Sequence, residues 1–407
     1  SGSRDVGARV LYLTQTFPPE PGSTIRPLEQ AQELQRAGHD VTVITAFSSY
    51  PTGRLADGDR WRGWRRERVN GVDVLRLATI TAAASGRVRR LGSYLSFALT
   101  SALATGLVRR PDVVIASVPH LFTDLGGLAA ARMRGARFVI ELRDLVPETT
   151  VHAGVDPRSA AYRALGVLCG ITRRRATALA VPYEDLRQLL VRREPRREDD
   201  VLLLPHGIGR DRRAAANRSA GRAAMGLGPD VPVALYVGSF AQCYGLPEVV
   251  RAAQGAAGVQ WVLVGAGRDR EAVRRMVAGL DHVRLLAPCD PRVVGDLVAA
   301  ADVVLSPHQT APELPYRPAP MTKVAEAIGL GRPVLAWETR PSAGPWLEAR
   351  GAGRGVPWGS PELFGAAVQD TLLSPDRLGS ITRGAAALAP ECHRETTTRT
   401  LLEWLDR

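Results

Sequence analysis

At 407 residues the chain is long enough for two or three domains of roughly 150 residues, each with a sizeable core. Hydrophobic residues make up 45 % of it and no low-complexity tract interrupts it, which excludes a disordered or fibrous protein. The net charge of +12 rests almost wholly on arginine. Such a balance suits nucleic acid, membrane phosphates or anionic substrates, but Arg, Ala and Gly richness also fits the bias of a GC-rich genome.

Ser1-Gly2-Ser3 reads as a tag remnant, and no secretion signal follows it. ARVLYLTQTF (8–17) reads as a buried strand, and RPLEQAQELQRAG (26–38) sets Leu28, Ala31 and Leu34 on one helical face before stopping at Gly38. HDVTVITAF (39–47) is the next strand. Asp57-Gly58-Asp59 lies in a turn-rich stretch and reads as a solvated turn rather than a metal-holding pair. Further strands fall at 72–78, 112–117 and 137–144. Residues 91–108 carry no charge and are flanked by Arg87, Arg89, Arg90 and by Arg109, Arg110. These 18 residues fall short of a membrane span of ~20 and include seven Ser, Thr and Gly, so a core-facing or interfacial helix is expected.

This βαβ rhythm implies a parallel sheet with helices on both faces. It restarts after RREPRREDD (192–200) with VLLLPHG, PVALYVGSF, QWVLVGAG, HVRLLAP, DVVLSPH and PVLAW. The expected organisation is two doubly wound α/β domains, 1–203 and 204–389, with a C-terminal helix within 390–407 crossing back to the first. Such sheets bind ligands beyond the carboxyl ends of their strands, and two facing each other make a cleft. Cys169, Cys243, Cys289 and Cys392 stand far apart, and the seven histidines show no HxxxH or HxH spacing. Neither a metal site nor a disulfide framework is expected, which fits a reducing cytoplasm. Gly265 and Gly267 in VGAG lack the rest of a dinucleotide fingerprint, so no dinucleotide cofactor is expected.

The most informative stretch is 317–336, RPAPMTKVAEAIGLGRPVLA. A helix starting near Met321, behind the proline-rich loop 310–320, points free N–H groups and a positive dipole end at whatever lies before it, which suits phosphate. Lys323 adds a cation there. Glu326, one turn on, suits hydroxyls such as those of a ribose. Pro320, Met321, Thr322, Lys323 and Glu326 are therefore candidate contacts to a nucleotide-sugar; the bland alternative is a solvated Lys/Glu helix pair. Gly22-Ser23, between a strand and a helix, would let backbone approach a phosphate or sugar, or be a plain loop.

PxxKxxEAIGLGRPVLA resembles the donor-site helix of the retaining glycosyltransferases of family four. The resemblance covers nearly the whole chain. FPPEPGSTIRPLEQAQELQRAGHDVTVIT resembles their first loop and helix. LLPHGIGRD, ALYVGSF, WVLVGAGRDRE and ADVVLSPH follow in the family's order. SYPTG (49–53) and RDLVPET (143–149) resemble the subgroup that adds N-acetylamino- and deoxy-sugars to bacterial glycans. The resemblance implies the GT-B fold, an acceptor-binding first domain and a donor-binding second one. It implies retaining, metal-independent hexosyl transfer from a nucleoside-diphosphate sugar, UDP favoured over GDP, to a glycan, lipid-linked or secondary-metabolite acceptor.

Carried over residue by residue, the second carboxylate of the family's E-x7-E pair falls on Glu326 and the first on Pro318, leaving Glu313 as a substitute on the same loop. Gly238 and Ser239 after the YVG strand, and Cys289 past a strand facing the nucleobase in relatives, join the donor contacts. Ser239 and Tyr244 stand where relatives often carry cations, so Lys323 and Arg317 must meet the diphosphate. Ser117 stands where relatives often carry a histidine; His120 and Asp144, of the Arg143–Asp144 pair, are the nearest replacements for orienting the acceptor or taking its proton. No cofactor, metal or nucleic acid is implied. Peripheral membrane contact through Arg87, Arg89, Arg90 and Arg173, Arg174, Arg175 is a further expectation. A sugar-nucleotide 2-epimerase of the same fold, and a two-lobed sugar-nucleotide binding protein without chemistry, are the alternatives.

Overall fold

The computed structural model of the chain describes residues 7–20, 25–49, 53–55, 57–59, 61–81, 87–118, 120–153, 155–194, 196–310, 312 and 314–407. They divide into two compact units: one runs to Leu204 and includes Thr398–Arg407, the other is Pro205–Thr397.

In the first unit eight strands form one sheet: β1 (Arg9–Leu13), β2 (Asp40–Ala46), β3 (Trp64–Val69), β4 (Val72–Leu77), β5 (Val113–Val118), β6 (Arg137–Leu142), β7 (Ala178–Val181) and β8 (Val201–Leu203). Their order is β3-β4-β2-β1-β5-β6-β7-β8, all parallel except the edge strand β3. The central strands are buried on both faces, which is why they read as largely apolar runs without polar alternation. β3 escapes such a reading because it alternates exposed Trp64, Arg66 and Arg68 with half-buried Arg65, Glu67 and Val69. β8 closes the first sheet, whereas VLLLPHG reads in the sequence as the opening strand of the second. Helix α1 (Ile25–Arg36) buries Leu28, Ala31 and Leu34 against Val10, Tyr12, Val41 and Val43. On the opposite face, α3 (Thr123–Arg134) lies so close that a Cβ on Gly127 would stand 2.7 Å from Phe138 and 2.8 Å from Ala116. α2 (Arg87–Leu103) packs on α3 in turn.

The second unit holds six parallel strands: β9 (Val233–Val237), β10 (Gln260–Val264), β11 (Val283–Leu286), β12 (Val303–His308), β13 (Val334–Glu338) and β14 (Gly353–Pro357). Their order is β11-β10-β9-β12-β13-β14. Side chains alternate along them into two cores, one on each face: Leu235, Val262 and Val304 on one, Tyr236, Trp261 and Leu305 on the other. The chain then returns to the first unit. The returning stretch starts at Thr398, not at 390. Residues 390–397 stay behind because Ile208 donates to the Cys392 carbonyl at 2.9 Å and Arg394 to the Gly207 carbonyl. Leu401, Trp404 and Leu405 enter the core beside α1, with the Arg137 guanidinium 4.5 Å above Trp404. No helix among the described residues is long and apolar enough to cross a membrane.

Candidate functional site

The central strands β9 and β12 put their carboxyl ends side by side, where open α/β sheets receive ligands. Gly238 follows β9, and its φ of +153° and lack of a side chain keep this corner clear: a Cβ there would lie 3.4 Å from the Tyr236 hydroxyl and 3.8 Å from Lys323 Nζ. The Tyr236 hydroxyl donates to the Ser239 carbonyl at 2.6 Å. Tyr244 follows in a one-turn helix, its ring centroid 6.1 Å from that of Tyr236. Between these rings sits Lys323. Its Nζ is 3.5 Å from the Tyr244 centroid, 4.5 Å from the Tyr236 centroid and 3.4 Å from the Tyr236 hydroxyl.

Lys323 is the only lysine in a chain with 53 Lys and Arg residues. A compact ammonium fits this cage of two rings, and a planar guanidinium is not its equivalent. Burial lowers its pKa from 10.5 to about 7, against a smaller opposing pull from Cys243. Among the described residues no carboxylate stands within ion-pair distance of it. The two rings and the Tyr236 hydroxyl therefore fix the position of the amine.

Lys323 is carried by helix Thr322–Gly329, wedged against the core through Val324, Ala325, Ala327 and Ile328. Met321 is its extended N-cap residue and offers no side-chain acceptor, so the first N–H groups stay available to a ligand. Ala319–Pro320, a cis peptide, leads into it. Thr322 Oγ1 is 3.1 Å from Nδ1 of buried His206, which ties the start of the helix to the loop after β8. Glu326 accepts from Arg212 Nη1 at 2.8 Å, both side chains being largely shielded. This partner is a finding beyond the sequence: Arg212 lies 114 residues away from Glu326, and His206 lies 116 from Thr322. A carboxylate has about four lone-pair sites, so the ion pair orients Glu326 without using up its capacity for hydroxyls.

The remaining expected contacts scatter. Arg317 is exposed on the preceding loop and Ser239 is exposed beside the cage. Cys289 lies past the edge strand β11, two strands from β9; it packs on the core beneath the helix, and burial raises its thiol pKa. Gly22, Ser23 and Glu313 fall outside the described residues. The VGAG glycines have a packing reason: a Cβ on Gly265 would stand 1.8 Å from the Gly238 carbonyl oxygen, and one on Gly267 would stand 2.6 Å from that of Phe240. The reading of Asp57 and Asp59 as a solvated pair needs correction. Asp57 is exposed, but Asp59 is buried and ion-paired with Arg65. Among the described residues no three His, Cys, Asp or Glu side chains cluster as metal ligands would.

In the first unit, His120 and Asp144 each stand two residues past the ends of the paired strands β5 and β6. His120 stacks on Tyr94 at 5.5 Å between centroids, and its Nε2 is 3.3 Å from Thr16 Oγ1. Burial, then the charge of Arg143, lowers its pKa to about 4, so it is a neutral imidazole at physiological pH. The Arg143–Asp144 pair is split by the alternation of the chain: Arg143 turns inward and is buried, Asp144 faces solvent. Arg143 thereby joins a buried cluster in which Arg26 Nε lies 2.7 Å from Glu141 and Tyr12 donates to the same carboxylate. The sequence offers no signal for that cluster, because its members come from three elements.

A parallel sheet with an uncapped helix and a caged lysine at its carboxyl ends defines an α/β protein of the doubly wound class. Residues 22–207 match the Glycosyl transferase 4-like domain, and residues 231–374 match Glycosyl transferases group 1. The chain belongs to the family-four glycosyltransferases, which have the GT-B fold. It is 32 % identical over 130 residues to WcaI of Escherichia coli K12, which is named for colanic acid biosynthesis and glycosyl transfer. That match takes in 31 % of this chain and spans 31 % of the relative's length. In architecture the chain is similar to sucrose-phosphate synthase of Thermosynechococcus elongatus, with a TM-score of 0.75 at 16 % identity over 98 % of each chain. It is also similar to HepE of Anabaena, solved with UDP, with a TM-score of 0.69 at 15 % identity over 98 % of this chain and 99 % of that one.

Proposed function

We propose that the protein transfers a glycosyl group from a nucleoside-diphosphate sugar, UDP favoured and GDP the next candidate, with retention of configuration and without a metal. The observation that carries this reading is the lone lysine caged by Tyr236 and Tyr244 at the start of the helix that also holds Glu326. The main catalytic task is to stabilise charge growing on the leaving diphosphate, and a preorganised ammonium beside free helix N–H groups performs it. Glu326, oriented by Arg212, would hold the ribose hydroxyls. Arg317 would add a second cation from its loop. The same-face attack of a retaining transfer needs no protein nucleophile. The first unit is assigned the acceptor, a glycan, a lipid-linked sugar or a secondary metabolite. Neutral His120 and exposed Asp144 would orient its hydroxyl or take the proton it releases. HepE, solved with UDP and with UDP-glucose, supports the choice of donor.

The test is incubation of the full chain with UDP-, GDP- and dTDP-sugars and candidate acceptors, with and without EDTA. Expected is release of one nucleoside diphosphate and a product of unchanged anomeric configuration by NMR, undiminished by the chelator. An inverted anomer, loss of activity that Mn²⁺ restores, a 2-epimer of the donor, or tight binding without turnover would each overturn part of this reading.

A further inference from the structure

We propose that the outer face of α2 is a membrane-docking surface that lies in the plane of an anionic lipid bilayer. The helix is packed the wrong way round for one that faces water. Its inward side carries Ser93, Ser101 and, in the turn that follows, Thr105, all buried together with Phe97, Ala98 and Ala102. These small residues let the backbones touch: a Cβ on Gly126 of α3 would stand 2.7 Å from the Ala98 carbonyl oxygen and 2.8 Å from Ser101 Oγ. The inward hydroxyls are satisfied locally, Ser101 by the Ala98 carbonyl at 3.2 Å and Thr105 by that of Ala102 at 2.7 Å. The leucines are left outside. Leu91, Leu95, Leu99 and Leu103, four residues apart and so on one face, are 45 %, 48 %, 62 % and 63 % exposed.

The stripe widens at its edge. Ile80 rests on Gly92, donates its N–H to Ser96 Oγ at 3.0 Å and is itself exposed. Trp64, at the start of the edge strand β3, is 50 % exposed, and Arg66 of that strand donates to the Leu107 carbonyl. An apolar surface of this extent marks an interaction site.

Charge decides the occupant. Arg89 is exposed at the start of the helix, and exposed Arg109 stands past its end with Asp40 at 3.3 Å. From Asp73 to Asp112 the chain contains no other Asp or Glu. An exposed leucine face with arginines at both ends and a tryptophan at its margin fits the interface of a bilayer, where apolar side chains enter the acyl boundary and guanidinium groups meet lipid phosphates. The surface is narrower than the arginine clusters alone suggest. The side chain of Arg87 lies outside those described, and Arg173 is engaged with Glu194 at 2.9 Å.

Flotation of the full chain tests this with vesicles of phosphatidylcholine alone and with phosphatidylglycerol added, at low and high salt. Expected is flotation with the anionic vesicles that fades with salt, about fivefold weaker for Arg89→Ala and at least ~10-fold weaker for Leu95→Glu/Leu99→Glu. Circular dichroism and melting of the variants should match the parent. Leu99→Cys, labelled with a polarity-sensitive dye and keeping Leu91, Leu95 and Leu103, should brighten on anionic vesicles. Absence of flotation, flotation that Leu95→Glu/Leu99→Glu leaves intact, or a concentration-dependent dimer that this variant dissociates would overturn the proposal. The last outcome would make a second copy of the chain the occupant.

Discussion

The two units each hold a charge withdrawn from water, and they treat it in opposite ways. In the first, Arg26 and Glu141 are 3 % and 1 % exposed, joined at 2.7 Å, with Arg26 also donating to the Leu204 carbonyl at 2.7 Å. Burial alone would raise the pKa of Glu141, but the charges of Arg26 and Arg143 and the Tyr12 hydroxyl outweigh it and hold the carboxyl at about 2. In the second, Lys323 has two tyrosine rings for company, and burial takes it to about 7. A charge answered by its opposite maintains the fold. A charge met, among the described residues, by two rings and a tyrosine hydroxyl is the one to which we assign an opposite that arrives from solution.

The largest effect expected from breaking this contrast is on stability. Arg26→Met leaves the buried Glu141 carboxylate without its partner and should cost ~3–5 kcal/mol in urea unfolding, most of it recovered in Arg26→Met/Glu141→Leu. Lys323→Met should cost nothing. Its folded-state pKa lies below the unfolded value of 10.5, so the native protein carries a protonation penalty that is fully present below about pH 7 and fades as pH rises towards 10.5. Equal destabilisation by the two variants would end the distinction.

Next comes turnover. Lys323→Ala should lower kcat at saturating donor by ~10²–10³, the scale for one preorganised electrostatic contact. Lys323→Arg should recover only part of it, because the cage admits a point charge better than a planar fork. Near-normal turnover in Lys323→Ala would send the search for the catalytic cation elsewhere. A smaller loss is expected for Glu326→Ala, ~1.5–3 kcal/mol in UDP affinity by calorimetry. Arg212→Ala should weaken UDP in the same direction by less, since it removes only the orienting partner. Unchanged affinity in Glu326→Ala would remove the ribose from its assignment.

The smallest effect is on pH dependence. Diphosphate binding favours the charged amine, so UDP affinity should be full below about pH 7 and fall above it, by roughly tenfold between pH 6 and 8. Lys323→Arg keeps its charge throughout, and the difference between the two proteins removes the titration of UDP itself. Parallel profiles would show that the lysine does not titrate there.

The fold was legible because each central strand is an apolar run and each crossover helix has a 3.6-residue period, as α1 shows with Leu28, Ala31 and Leu34. The helix from Thr322 was legible for the same reason, together with its position between β12 and β13. What could not be read are contacts between residues far apart in the chain. Nothing near Glu326 announces Arg212, nothing near Thr322 announces His206, and Tyr244 stands as a missing cation in the sequence but as one wall of a cage in space. α2 misleads for another reason. Its serines and leucines follow one helical period, and only the close approach of Gly126 decides that the serines go inward.

Because Lys323 is the only lysine, a chain labelled with [¹³Cε]lysine gives one side-chain signal, and its titration by NMR reads the central claim directly. The account predicts a midpoint near 7 in the free protein and an upward shift when UDP is added. A midpoint near the ordinary 10.5, unmoved by UDP, would show an ammonium bathed in water and would contradict the caged, ligand-directed cation on which the functional reading rests.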